Sequence, residues 1–556
     1  MKKTVIIFVS AILLSVPSLS FAEDAVQDVK TEQKVESGTE ESLGGNSETI
    51  SGPRYMMGEI TYISKDKTQP AAMKRNVEIN KELVFKTREE IDAYSESIVR
   101  QLQNTRIFQD VTKEAKENPP DENGIIFVDY EVTVTDSKNF LVFPKPNYSS
   151  NNGFEMKIKL KDSNFLGFMN TLNLDLNCQL GNSSNPDDFS KVMLGTNFDY
   201  TFPFQIGITQ NSWSNDFLFS WTIGETPEFR FTTGITTGIP FANNQLLINL
   251  AQSITLENDY EIFGDKLYFT EAGGISLPLT LGYINDVVPI RYTPSIKATY
   301  HWDHNGINPE NWGLRGPDIS IHQDISIPSV NWEGNFRNGY SIGLSHYIAY
   351  NFASESIIPY LSVDAKFFKA FKYVGINASF YAYGVVNRTP NEIGWRMRGI
   401  LDNQRFANAS AGGALEADAA LQFSIDIPIH IITTDWLGWA AAIFGPYDSL
   451  SPGAQKFWKF PRKLFGALNF ELQISPFIDV ALTHNRVTGR TFNPKDGFYD
   501  AGVEVLIYPT RFRNYVVRAS FGADIGRTIL KDFIDTSWRN PNTKKYELFL
   551  GLGLQY

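Results

Sequence analysis

After its first two dozen positions the chain never again offers the roughly 18 consecutive apolar residues that a helical membrane span needs, yet apolar side chains return at every second position over long stretches. Leu172, Leu174, Leu176, Cys178 and Leu180 alternate with Asn173, Asp175, Asn177 and Gln179. Met156, Ile158 and Leu160 alternate with Lys157, Lys159 and Lys161, and Tyr340, Ile342, Leu344, Ile348 and Tyr350 repeat the pattern far downstream. A strand sends successive side chains to opposite faces, so each segment has one greasy face and one wet face. The longest later apolar run, Trp436 to Phe444, stops at Gly445-Pro446. With 42% hydrophobic and 13% aromatic residues and 41 glycines, the pattern implies a transmembrane β-barrel, apolar towards lipid and polar towards a lumen.

The start of the chain points to export. Met1-Lys2-Lys3, an apolar core from Val5 to Val16 and the small-x-small site Ser20-Phe21-Ala22 read as a signal peptide over residues 1–22. Residues 23–52 are acidic, polar and nearly free of large apolar side chains, a composition that cannot offset chain entropy by burial, and are expected to form a disordered leader. Cys178 is the single cysteine, so no intramolecular disulfide can staple an exported chain of this size; a closed ladder of hydrogen bonds would serve instead. The net charge of −12 argues against nucleic acid as a partner, because phosphate binding wants clustered Lys and Arg.

Residues 53–137 read as one α+β module. Met57 to Ile63 alternates as a strand, and Thr87-Arg88-Glu89-Glu90 has the form of a capping box. Ile91, Tyr94, Ile98 and Leu102 then make one apolar stripe at helical spacing. Phe108 to Val111 and Ile125 to Val134 supply two further strands. That order, with Leu102-Gln103-Asn104-Thr105-Arg106-Ile107-Phe108-Gln109-Asp110-Val111 after the second helix, resembles the polypeptide-transport-associated (POTRA) domain. The Gly that usually precedes the Phe in that family is replaced here by Asn104 or Thr105, and Asn tolerates a left-handed backbone.

From 141 to 556 about 415 residues remain, and at ~25 residues per strand and connection they predict about 16 strands, with 14 or 18 also accommodated. The last segment, Tyr546, Leu548, Leu550, Leu552, Leu554 and Tyr556, ends on an aromatic and looks like the recognition signal of barrels folded by outer-membrane assembly machinery; Leu554 and Tyr556 would carry it.

Asn147-Tyr148 through Gly153-Phe154 to Asp162-Ser163-Asn164-Phe165-Leu166-Gly167 resembles the first hairpin of the superfamily that includes BamA, TamA and the two-partner secretion transporters. Arg398-Gly399-Ile400, within Trp395-Arg396-Met397-Arg398-Gly399-Ile400, is similar to that family's Arg-Gly tip on a long extracellular loop folded into the lumen, although Ile400 stands where the family has an aromatic. Phe477-Ile478-Asp479 is similar to its inward Phe-x-Asp motif, with Ala481 where Gly is usual. Strand parity leaves Asn469, Glu471, Gln473, Ser475, Phe477 and Asp479 on one face, towards the lumen. A second strand, Ala414 to Ile427, would place Glu416, Asp418, Gln422, Ser424 and Asp426 on the lumen wall. Arg398 is therefore expected to pair with Asp479, with Glu416 or Asp418 as second acceptors, since a guanidinium fork binds carboxylates bidentately. His430 to Phe465, rich in aromatic and basic residues, would lie on the periplasmic side as an interfacial helix, a plug or a partner dock.

No His-Glu-x-x-His, Gly-x-Ser-x-Gly or Walker sequence occurs, and His301-Trp302-Asp303-His304 is the one metal-like cluster, so no enzyme, cofactor or metal is expected. The resemblance implies an outer-membrane protein with a periplasmic POTRA domain. Its partners would be unfolded or β-rich client polypeptides, outer-membrane lipid, and chaperones or accessory lipoproteins of the periplasm. It would insert or translocate its clients; a passive channel or a structural, adhesin-type barrel is the competing reading.

Overall fold

A computed structural model describes residues 54–149, 153–180, 192–241, 244–257, 267–285, 287–303, 306, 317–388, 390, 392–400, 416–512, 515–539 and 545–552. The signal and leader segments, Leu554 and Tyr556 lie outside the described residues. Two sheets account for nearly all the strands.

The smaller sheet belongs to the front module. Its elements run β1 (Arg54–Ser64), α1 (Pro70–Asn76), β2 (Val84–Phe85), α2 (Arg88–Asn104), β3 (Phe108–Glu117) and β4 (Ile125–Asp136). The sheet order is β2-β1-β4-β3, with β1 parallel to β4 and β3 antiparallel to it. Thr87 caps α2: its Oγ1 accepts the Glu90 N–H at 3.2 Å, and the Glu90 carboxylate accepts the Thr87 N–H in return. Ile91, Ile98 and Leu102 are fully buried with Val128, Tyr130, Val132 and Val134 of β4, each large side chain contributing ~1.5–3 kcal/mol. Burial pushes the Tyr130 hydroxyl up to about 12.

The left-handed residue between α2 and β3 is neither Asn104 nor Thr105 but Arg106, with φ 57°. For a side chain this large that costs ~1–2 kcal/mol. Docking offsets it: the Arg106 guanidinium stacks 4.3 Å above Trp332 and donates to Asn335 Oδ1 at 2.9 Å.

The larger sheet is an antiparallel barrel. Twenty strand segments run from Phe140–Ser149 to Tyr546–Leu552. Leu267–Ser276 and Leu279–Ile284 pair with one neighbour, and so do Ala419–Asp426 and Ile429–Thr433. The breaks fall at Pro278 and Pro428, which lack the N–H a ladder needs. Joining each broken pair leaves eighteen staves among the described residues, at the upper end of the fourteen to eighteen expected; two-residue turns such as Gly207-Ile208 and Gly334-Asn335 make those hairpins shorter than the spacing assumed. Among the described residues the last strand comes back to the first through two residue pairs, Phe549 with Ser149 and Leu550 with Tyr148. Most interior neighbours share many more, sixteen between Asp318–Glu333 and Phe336–Asn351.

Parity sorts the wall. Ile158, Leu176, Ile321, Ile342, Ile348, Phe367, Ile478 and Leu548 are exposed on the outside, an apolar band that suits lipid. Inside, Lys159 pairs with Asp175 at 2.9 Å. Among the described residues no helix is long and apolar enough to cross a membrane.

The module docks at the end of the barrel carrying the short turns, here called proximal. Gln69 N donates to Gly167 O at 2.9 Å, Lys67 pairs with Asp162 at 3.0 Å, and Asn164 Nδ2 donates to Thr68 Oγ1 at 2.6 Å. Gly167 (φ 79°) has to be glycine: a Cβ there would lie 2.0 Å from the Lys67 carbonyl oxygen. A second proximal turn, Trp332 to Asn335, carries the Arg106 contact on one side; on the other, Asn335 Nδ2 donates to Glu471 Oε2 at 2.8 Å on the inner wall.

Candidate functional site

The inner wall formed by Ala419–Asp426, Phe470–Thr483, Phe498–Pro509 and Val517–Asp524 carries carboxylates in register. Ser424 lies opposite Asp479, Asp479 opposite Asp500, and Asp500 opposite Asp524. Three neighbouring aspartates on one face, all buried, repel one another. Such a wall needs cations.

The loop after Gly375–Val385 delivers the first. Residues 392–400 run into the lumen, and Arg398 reaches the wall with its whole fork. Its Nε donates to Asp479 Oδ2 at 2.9 Å and its Nη2 to Asp479 Oδ1 at 2.5 Å, while the backbone N–H of the same residue approaches Oδ2 at 3.3 Å. Nη1 pairs with Asp426 and lies 3.4 Å from Glu504. The guanidinium also stacks 3.7 Å from the Phe477 ring. Phe477, Asp479 and Arg398 thus meet at one point.

The second acceptors are Asp426 and Glu504, not Glu416 or Asp418. The strand starts at Ala419 rather than Ala414, which leaves both of those carboxylates before it. Asp418 is eight positions above Asp426, ~26 Å at 3.3 Å per strand residue, and pairs instead with His484 at 2.5 Å. The tip goes deeper than the row's upper end. Asp426 belonged to the acidic row read from parity; Glu504 and Asp500 were missed, although Phe498, Asp500, Glu504 and Leu506 show the same alternation and are all buried inward.

Gly399 follows from close approach. A Cβ on it would stand 2.6 Å from Ala523 N, and one on Gly522 would stand 2.5 Å from the Arg398 carbonyl oxygen. Backbone therefore presses on backbone, and the Gly399 N–H donates to Asp500 Oδ2 at 2.8 Å. Ile400, where the family pattern has an aromatic, is buried in an apolar cluster with Met397, Ile393, Tyr381, Phe498 and Ala481.

Neighbouring arginines answer the remaining charge. Arg518 donates to Glu504 at 3.2 Å; Arg527 Nε pairs with Asp524 at 2.7 Å and Arg539 lies 3.4 Å from it. Burial pulls the loop guanidinium of Arg539 down to about 10. The arrangement offers a fixed electrostatic latch. Of the metal-like cluster, His301 Nδ1 is bonded to Thr270 Oγ1 at 2.7 Å, and His304 lies outside the described residues. Among the described residues no group of three or more His, Cys, Asp and Glu could hold a metal.

No protein-family model matches the chain, and no curated protein matches it. Solved structures that superpose on it include BamA from Haemophilus ducreyi lacking POTRA domains 1–3, at 12% identity over 89% of this chain and 84% of that one, with a TM-score of 0.34. Two others are CdiB from Acinetobacter baumannii (8% identity, 89% and 73% covered, TM-score 0.44) and CdiB from Escherichia coli (8% identity, 92% and 93% covered, TM-score 0.37).

Proposed function

We propose that this chain is a divergent, single-POTRA member of the outer-membrane assembly and two-partner secretion superfamily, and that it inserts or translocates β-rich client polypeptides. The observation that carries this is the loop tip locked inside the lumen by the Arg398–Asp479 fork. The loop counts together with the α+β module docked against the proximal turns, a pairing that a passive channel does not need. The module lies in the periplasm in this reading, and the barrel in the outer membrane.

Two further features suit the role. Among the described residues the strand β3 pairs on one side only, with β4, so its outer edge can receive an extended client by β-augmentation. Among the described residues two pairs join the first strand to the last, and in this reading the wall opens at that seam. The client's own folding supplies the driving force, and no nucleotide is required.

The test is depletion of the protein followed by quantitative proteomics of the outer membrane and the culture medium. Broad loss of barrel proteins supports general assembly, and loss of one secreted protein supports a dedicated transporter. If neither changes while small-solute uptake falls, the passive-channel reading replaces this one.

A further inference from the structure

Between the strands Ile429–Thr433 and Phe470–Thr483 the chain makes a proximal excursion of two helices, α3 (Trp436–Phe444) and α4 (Pro452–Ala467). A simple turn would join these strands, so the excursion needs its own reason. Trp436 fixes where it sits. Its ring packs on Phe470, 6.4 Å between centroids, and its Nε1–H donates to the Leu468 carbonyl at 3.2 Å. Phe470 shares parity with Leu472, Ile474 and the exposed Ile478, the outward face. The inward neighbours Glu471 and Gln473 bond to each other and to the Trp332–Asn335 turn. The hairpin is therefore rooted on the outside of the barrel, continuous with its apolar band, and is no plug of the lumen.

Its surface has the same character. The helix α3, Trp-Leu-Gly-Trp-Ala-Ala-Ala-Ile-Phe, has no charged side chain, and Ile443 and Phe444 are 73% and 57% exposed. Phe444 packs on Trp458 of α4, 5.7 Å between centroids. At 100° per residue, Lys456, Lys459 and Arg462 fall on one side of α4 and Phe457, 73% exposed, on another. No acidic residue occurs in α4. Large apolar area exposed on a folded protein marks an interaction surface, and a helix with aromatic residues on one face and Lys and Arg on the other lies in a membrane interface.

We infer that the 436–467 hairpin is an interfacial anchor: α3 and Phe457 enter the proximal lipid leaflet, while Lys456, Lys459 and Arg462 engage anionic phospholipid headgroups. The inference rests on the membrane-barrel reading, and the experiment separates the two. The full chain, carrying Cys178→Ala, is reconstituted in nanodiscs with a nitrobenzoxadiazole fluorophore at Phe457→Cys or, as reference, at the outward-facing Ile342→Cys. Quenching by brominated phosphatidylglycerol is compared with quenching by brominated phosphatidylcholine.

Both sites should be quenched, and the 457 site more strongly by the glycerol lipid. Lys456→Gln and Lys459→Gln should each lower that preference about fivefold without altering the 342 signal. Quenching at 342 but not at 457 would overturn the anchor and leave the barrel standing. Equal quenching of 457 by both lipids would overturn the headgroup assignment. Quenching at neither site would remove the membrane barrel itself.

Discussion

Arg230 and Asp216 face each other 3.8 Å apart on the inner side of adjacent strands, with side chains 54% and 43% exposed. Arg398 and Asp479 meet at 2.5 Å with side chains 4% and 0% exposed. Both are arginine–aspartate pairs on the lumen side of one barrel. What differs is solvent: along Thr209–Phe241 the lumen charges stay wet, whereas along Ala419–Asp524 a loop tip has displaced the water. Ion pairs in water contribute little. A dry pair becomes a constraint, because either partner left alone is an unpaired buried charge. One flank can tolerate substitution and the other cannot, although their compositions look alike.

The strongest challenge to this contrast is Arg398→Ala, which takes from Asp479 both arms of its guanidinium fork and removes the same cation from beside Asp426 and Glu504. It should cost ~3–5 kcal/mol, read as a fall in the melting temperature of the detergent-solubilised barrel by circular dichroism. An unchanged melt would mean that the wall carries its own charge without the tip. Gly399→Ala keeps every charge and adds one methyl where Ala523 N already lies 2.6 Å from the Cβ position. It should cost ~1–3 kcal/mol by overpacking, together with faster proteolysis of the released loop. If the melt falls while the loop stays protected, the contact is packing alone and no latch. The gentlest change is Arg230→Gln on the wet flank, expected to shift stability by ~0–1 kcal/mol; a loss as large as that of Arg398→Ala would erase the distinction between the flanks.

How much of this was legible beforehand varies by element. Alternation along Leu172–Leu180 and Tyr546–Leu552 announces outward and inward faces, because a strand's period is two and nothing else in the chain competes with it. The Thr87–Glu90 cap is equally local. Stave number was legible only as a range, fourteen to eighteen, since the length of turns such as Gly334-Asn335 has no periodic signature. At the site, the meeting of Arg398 with Asp479 came from motif resemblance and parity together. The choice of Asp426 and Glu504 over Glu416 and Asp418 depends on how far a loop descends, a distance that no local pattern encodes. Arg106 shows the same limit: its left-handed backbone is held by Trp332 and Asn335, more than two hundred positions away.

The turn from Trp332 to Asn335 has the mechanical position of a shear pin. It is gripped from below by Arg106 of the module and from within by Glu471 of the wall. Each grip is a short polar contact that fails within about an ångström of displacement. A pull on the module is consequently shared by this turn, the 162–169 contact and the 2.7 Å ion pair between Glu78 and Arg291, and the turn passes its part to Phe470–Thr483, the strand that also bears Asp479. The share of the load that reaches this turn and the tension at the latch thereby meet on one stave.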